Sequence, residues 1–239
     1  MVTFRAGKIK GVIFDLDQTL IDSLGAFTEA FNRGMRQFGL DPVTRERLAS
    51  FLDKGWRMQR MLLEVSPSVF DEDETRQACQ DEIRKAYLEL EPQKVVLKPR
   101  VKRTLRLLKE GGAKIGIVTG RASRGDGKWL ELRRLGIDQL VDAMVTAAEA
   151  PAKPAPDGLI KCVKALGLVA EDCVYVGDSR LDIRAGKKAG LMTIGIQTGV
   201  AGRELLAKEA PDYIVHEVSQ LLTCLGKLQE NEEVYHGRI

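Results

Sequence analysis

Short, uninterrupted apolar runs recur along this chain, each followed by polar residues and then by a helix-like pattern. They are Val12-Ile13-Phe14, Ile115 to Val118, Val141 to Val145, Cys173 to Val176, Met192 to Ile196 and Tyr213-Ile214-Val215. Most do not alternate apolar with polar residues, as a strand with one wet face would. A run of this kind needs cover on both faces, which a parallel sheet flanked by helices supplies. The stretches between the runs carry helical spacing. Val101, Leu105 and Leu108 share one face, with Pro99 near the start and Gly111-Gly112 at the stop. Ile160, Val163 and Leu166 repeat that face, with Asp157 as the expected N-cap and Gly167 as the stop. This alternation predicts an α/β fold with a doubly wound, mostly parallel sheet and right-handed crossovers.

The rhythm breaks between Ile21 and Leu97. Leu24, Phe27, Phe31, Met35 and Phe38 form one apolar stripe, ended by Gly39, and Ile83, Tyr87 and Leu90 mark another. A chain of 239 residues is long enough for a core with an insert. The expected organisation is a Rossmann-like core of residues 1–20 and 98–228, an inserted all-α cap domain of residues 21–97, and a polar tail, 229–239, that frays.

Several classes of function are poorly served. The formal net charge is +3, and no Lys/Arg run is interleaved with aromatics, so nucleic acid is not an expected partner. No apolar run approaches the roughly 20 residues of a membrane span. The basic stretch Met1 to Lys10 leads into only Gly11 to Phe14 before Asp15 intervenes, which is too short for a secretory signal. The expectation is a cytoplasmic protein, monomer or homodimer, with no membrane partner. Cys79, Cys162, Cys173 and Cys224 form no CxxC pair and read as reduced, buried thiols. His216 and His236 lie far apart near the C-terminal end, so histidine-based chemistry has little to work with. Gly120 to Lys128 is not a P-loop, because Ala122 and Trp129 stand where that motif needs Gly and Ser or Thr.

Four polar motifs each follow an apolar run. Ligands in open α/β sheets bind beyond the carboxyl ends of the strands. Asp15-Leu16-Asp17-Gln18-Thr19 places two carboxylates two residues apart, able to face one pocket while Leu16 points away. One can act as nucleophile or metal ligand and the other as acid and base, although a polar turn would also use Asp here. Val118-Thr119-Gly120-Arg121 offers a hydroxyl and backbone N–H groups to a phosphate oxygen, or is an ordinary strand exit. In Lys153-Pro154-Ala155-Pro156-Asp157, two prolines stiffen the loop that carries Lys153, whose ammonium suits a phosphoryl group or a nucleophilic carboxylate. Gly177-Asp178-Ser179-Arg180-Leu181-Asp182 sets two carboxylates one helical turn apart. Such oxygen ligands suit Mg²⁺; the plainer alternative is helix capping with a favourable first-turn charge. Taken together the four motifs converge on one crevice, and carboxylates crowded there call for a cation.

In this order DLDQT, VTG, KPAPD and GDSRLD resemble the haloacid dehalogenase-like superfamily. The resemblance spans nearly the whole chain and includes Asp22-Ser23 and the stretch from Gly199 to Asp212. It implies that Asp15 attacks phosphorus to form an aspartyl-phosphate, and that Asp17 protonates the leaving oxygen and then activates water. It further implies that Asp15, the backbone carbonyl of Asp17, and Asp178 hold Mg²⁺, that Asp182 supports the metal or its waters, and that Thr119, Gly120 and Lys153 bind phosphoryl oxygens. The second acid, Asp17, favours phosphate chemistry over metal-free dehalogenation. Gln18 departs from the family, which more usually has Gly there, and Gly120 replaces a small polar residue before Arg121.

The helical insert resembles the cap of one branch of this family, whose members act on small phosphorylated metabolites. Phosphoglycolate-phosphatase-like and pyrophosphatase-like members share this layout. Within the insert, Lys54-Gly55-Trp56-Arg57 is the stretch expected to help choose the substrate, with Lys54 and Arg57 reading a carboxylate or second phosphate. Met58, Met61, Leu62 and Leu63 read as cap core. The expected activity is a Mg²⁺-dependent phosphatase. A sugar phosphomutase using the same intermediate is the alternative, and a non-catalytic regulator on the same fold is a second.

Overall fold

The computed structural model describes residues 8–123 and 126–227. The tail 229–239, and Arg124-Gly125 in the glycine-rich stretch, lie outside the described residues. In chain order the elements are β1 (Gly11–Phe14), β2 (Ile21–Asp22), α1 (Leu24–Gln37), α2 (Arg45–Asp53), α3 (Met58–Val65), α4 (Asp73–Lys94) and β3 (Val96–Leu97). There follow α5 (Val101–Glu110), β4 (Lys114–Thr119), α6 (Gly127–Leu135), β5 (Ala143–Thr146), α7 (Asp157–Ala165) and β6 (Cys173–Gly177). The chain continues through α8 (Arg180–Lys188), β7 (Met192–Ile196), α9 (Arg203–Lys208) and β8 (Tyr213–Val215).

Six strands form one sheet in the order β5-β4-β1-β6-β7-β8, and every pairing is parallel. The first strand in the chain is thus central. Phe14 pairs with Ile117 on β4 and with Val176 on β6, and Val12, Ile13 and Phe14 are fully buried. That burial on both faces is why these runs are continuously apolar. The strand order reverses at β1, between β4 and β6, and this switch point is where a crevice opens beyond the strand ends.

Contacts divide the described chain into two compact units. One joins the residues up to Leu20 to those from Leu97 onward; the other runs from Ile21 to Val96. In the helical unit the apolar stripes of α1 and α4 are buried at Phe31, Met35, Ile83 and Leu90, with Leu48, Leu62 and Phe70 beside them in the same unit's core. Each stripe is amphipathic, so burial of one face holds helices that would be marginal alone.

Three local expectations are corrected. The fifth strand starts at Ala143, not Val141. The Asp142 carboxylate accepts the Ile115 N–H at 2.7 Å, taking a place that a strand carbonyl would otherwise fill. Asp157 is the first residue of α7 and Pro156 occupies the cap position, with its carbonyl accepting from the Leu159 and Ile160 N–H groups. Ile160 is 53 % exposed, and the buried face of α7 is Leu159, Cys162, Val163 and Leu166. The i, i+3 spacing fits two adjacent faces, and the denser one faces the sheet. Cys79, Cys162 and Cys173 are buried free thiols and Cys224 is partly exposed. Among the described residues no helix is long and apolar enough to cross a membrane.

Candidate active site

The four motifs meet at the carboxyl edge of the sheet. Asp15 follows β1 directly, and its N–H donates to the Val176 carbonyl at 2.9 Å, so the sheet ladder fixes where its side chain starts. Lys153 reaches in from the loop before α7. Its ammonium donates to Asp15 Oδ1 at 2.5 Å, to Asp182 Oδ1 at 2.6 Å and to the Tyr175 hydroxyl at 3.1 Å. The Lys153–Pro154 peptide bond is cis. The Tyr175 hydroxyl in turn donates to Asp182 Oδ1 at 2.8 Å.

Asp182 also closes a capping box on α8. Its Oδ2 accepts the Ser179 N–H at 3.0 Å and hydroxyl at 2.6 Å, while Ser179 Oγ accepts the Asp182 N–H. A carboxylate offers about four acceptor positions, and protein donors fill two on each oxygen here. The capping alternative and a site role therefore coexist in one residue: the helix start orients Asp182, and Asp182 orients Lys153.

Asp178 is held on both oxygens, by the Thr19 hydroxyl at 3.0 Å and the Val200 N–H at 2.7 Å. Two glycines make room for the acids. A Cβ on Gly199 would lie 2.0 Å from Asp178 Oδ2, and one on Gly177 would lie 2.4 Å from the Asp182 side chain. Lys98 ties the two arms that hold Asp178. Its N–H donates to the Leu20 carbonyl at 2.9 Å and its ammonium to the Thr198 carbonyl at 2.7 Å. Gln18, where the family more usually has Gly, has φ +64°, the left-handed region in which Gly fits without strain.

Asp17 faces elsewhere. Arg121 donates to it with two nitrogens, Nε to Oδ2 at 2.9 Å and Nη2 to Oδ1 at 2.8 Å, and gives Nη1 to Glu131 at 2.7 Å. Thr119 is buried at the end of β4, and with Gly120, Thr146 and Lys153 it lines a small cleft. Lys54 and Arg57 belong to the helical unit. The Lys54 ammonium lies 4.6 Å from the centre of the Trp56 ring, which stacks on Phe51, and Arg57 is exposed at the start of α3.

The electrostatics follow from burial. Burial raises the Asp15 carboxyl well above its usual range; Lys153 pulls it back, and Asp182, Asp178 and Asp17 push it further up. Burial and Asp182 push Asp178 up to about 7. Burial alone would raise Asp182, but Lys153 and its hydrogen bonds hold it below the ordinary value. Burial alone would lower Lys153, but Asp15 and Asp182 carry it well above its ordinary value. One oxygen of each of Asp15, Asp178 and Asp182 lies within 4.8 Å of the others. Three buried carboxylates facing one ammonium leave excess negative charge, and an all-oxygen donor set of that kind suits a hard divalent cation.

Sequence reasoning missed Arg121, Tyr175 and Lys98. Tyr175 sits inside the apolar run Cys173 to Val176, where a lone hydroxyl in a buried strand needs a partner. Arg121 carried a signal, a cation directly beyond the strand-end Thr-Gly. Lys98 carried none.

A parallel sheet with buried acids and an ammonium at its switch point is an enzyme's arrangement, and the comparisons give the class. A profile of the family described as "Haloacid dehalogenase-like hydrolase" matches residues 12–196, and the chain belongs to that family. Among curated relatives it is 31 % identical over 224 residues to the pyrophosphatase PpaX of Anoxybacillus flavithermus, covering 91 % of this chain and 97 % of that one. It is 30 % identical over 246 residues to the phosphoglycolate phosphatase of Salmonella typhimurium, covering 95 % and 96 %. The fold matches the crystal structure of a predicted phosphoglycolate phosphatase from Haemophilus somnus with TM-score 0.82 at 24 % identity, over 91 % of this chain and 98 % of that one.

Proposed function

We propose that this protein is a Mg²⁺-dependent phosphatase that hydrolyses a small phosphate monoester through an aspartyl-phosphate on Asp15. The observation that carries the reading is the Lys153 ammonium set between Asp15 and Asp182, beside Asp178. Relatives named phosphoglycolate phosphatase and pyrophosphatase support a small phosphorylated metabolite as the substrate.

The roles follow from position. Asp15 supplies the attacking oxygen: its bond to phosphorus forms as the ester P–O bond breaks, and Asp17 gives the leaving oxygen its proton. A water then attacks the same phosphorus, the Asp15–phosphorus bond breaks, and Asp17 takes the water's proton, so inorganic phosphate leaves with both acids restored. Lys153 counters charge on the phosphoryl oxygens, and the Thr119 hydroxyl and Gly120 N–H bind them at the end of β4. Asp182 and Tyr175 hold Lys153 in place. Asp15, Asp178 and the Asp17 carbonyl are the direct ligands assigned to Mg²⁺, with Asp182 in support. Bound there, the cation supplies charge neutralisation for phosphoryl transfer.

Phosphate release tests the reading. The expected result is release from phosphoglycolate or pyrophosphate that stops with EDTA and falls by about a thousand-fold or more in Asp15→Asn. Isomerisation of a sugar phosphate with little release would replace it with the mutase, and no turnover with retained fold would favour a regulator. The roles assigned to Lys54 and Arg57 are checked on the same panel: substituting both should change the relative rates between substrates. The cytoplasm remains the proposed location, in keeping with the buried free thiols.

A further inference from the structure

Arg121 has no role in the chemistry above, yet it is bonded to the proton-transfer group on both carboxylate oxygens. Its guanidinium meets Asp17 as a fork, with bonds of 2.9 and 2.8 Å to the two carboxylate oxygens. In that pairing neither oxygen of Asp17 can turn to a leaving group without opening a bond to arginine. The third nitrogen, Nη1, is held by Glu131 at 2.7 Å, so the guanidinium has an anchor that does not depend on Asp17. The pair is also reachable: the Arg121 and Asp17 side chains are 22 % and 35 % exposed, against 12 % for Glu131.

We propose that Arg121 is a specificity-determining residue whose guanidinium is the seat for a second anionic group on the substrate, a seat that Asp17 fills until substrate arrives. The inference rests on the phosphatase reading. A planar fork that accepts one carboxylate accepts another carboxylate or a phosphate in the same geometry. The place of the seat sets the spacing. The Arg121 N–H donates to Thr119 Oγ1 at 3.2 Å and its carbonyl accepts the Ala147 N–H at 3.0 Å, so its backbone is fixed beside the residue assigned to the phosphoryl oxygens. The substrate class is therefore a phosphate monoester or anhydride with a second anion close to the scissile oxygen. When that anion takes the fork, the Asp17 carboxylate is freed from the arginine, can pick up a proton from solvent, and passes that proton to the leaving oxygen. Binding of the remote group is then expressed in turnover as well as in KM.

Ethyl phosphate is 2-phosphoglycolate with a methyl group in place of the carboxylate, which makes the pair a direct probe. The wild type should prefer phosphoglycolate in kcat/KM by about thirty-fold or more, the range of a lost charge-assisted pair. In Arg121→Met that preference should collapse to within about three-fold, and Arg121→Lys, which keeps the charge and loses the fork, should fall between. The ratio is the readout, because damage to the fold lowers both rates together. Should Arg121→Met not fold, Glu131→Gln, which loosens the anchor, should also shrink the ratio. A wild type without preference, or variants that lose both rates in proportion, would overturn the inference and leave Arg121 a positioning residue for Asp17. Phosphate release from neither compound by the wild type would overturn the phosphatase reading together with this one; release with an unchanged ratio would overturn this one alone.

Discussion

Lys153 and Glu29 each face two groups of opposite charge, one in each unit of the molecule. Lys153 is 14 % exposed and its partners Asp15 and Asp182 are 8 % and 1 % exposed. Glu29 is 33 % exposed, and its partners Arg33 and Lys94 are 39 % and 47 % exposed. Around Glu29 the helical unit keeps its charges in water, where they need no further support. Around Lys153 the sheet unit takes its charges out of water and must then complete the bonds around them, through Tyr175, Ser179, Thr19 and Val200. A fold gains little from buried ion pairs that an apolar core would not supply, so charge concentrated at one sheet edge points to chemistry rather than to stability.

The largest expected effect is on the buried side. Lys153→Met removes one partner and leaves Asp15 and Asp182 facing each other in the interior, which should cost about 3–5 kcal/mol in urea unfolding. The next is a dependence on pH and metal. Asp178 titrates near its ordinary value in the unfolded chain and at about 7 in the folded one. A raised carboxyl loses stability as pH climbs from the unfolded value through the folded one. Through Asp178 alone, metal-free protein should therefore weaken between about pH 4 and 7 by at most roughly 1.4 kcal/mol per unit, and the raised Asp15 carboxyl acts in the same direction. Mg²⁺ should accordingly raise the melting temperature more at pH 8 than at pH 5.5, and equal shifts at both would count against a cation at Asp178.

The exposed counterpart should respond weakly. Lys94 and Arg33 hold Glu29 below its ordinary pKa, so its contribution is present above the usual carboxylate range and lost as pH falls. Glu29→Gln should cost about 1 kcal/mol or less, and less again in high salt. A cost matching that of Lys153→Met would erase the distinction between the units. The smallest effect is a gain. Arg100 has φ +65° without being glycine, and Arg100→Gly should stabilise by about 0.5–1 kcal/mol once its exposed pair with Glu217 is set against the relief.

The sheet unit was the more legible because burial on both faces leaves little choice of residue. Val12 to Phe14, Ile115 to Val118 and Cys173 to Val176 could hardly be anything but inner strands, and the acids at their ends stood out against them. What stayed hidden were partners chosen by three-dimensional reach. Arg121 and Asp17 lie 104 residues apart, and nothing in either neighbourhood marks the other. Val141 was drawn into the fifth strand because side-chain mimicry by Asp142 has no periodic signature. In the helical unit the stripes were clear, whereas the roles of Lys54 and Arg57 were not, since a cation resting on Trp56 and an exposed cation at a helix start satisfy a bland reading as well as a functional one.

The central position of the first strand has a consequence for the growing chain. Val12 pairs with Ile115 and Val174, so β1 leaves the ribosome long before either neighbour exists. At about 5–20 residues per second, its second neighbour follows roughly ten to thirty seconds later. The helical unit ends at Val96 and its packing is local by comparison, so it can form while β1 still waits. During that interval the nascent chain displays an apolar strand with open edges on both sides, ahead of a finished helical body. The order of synthesis therefore makes the sheet unit the last to assemble, and the strand that leads into Asp15 the segment most in need of a chaperone's protection.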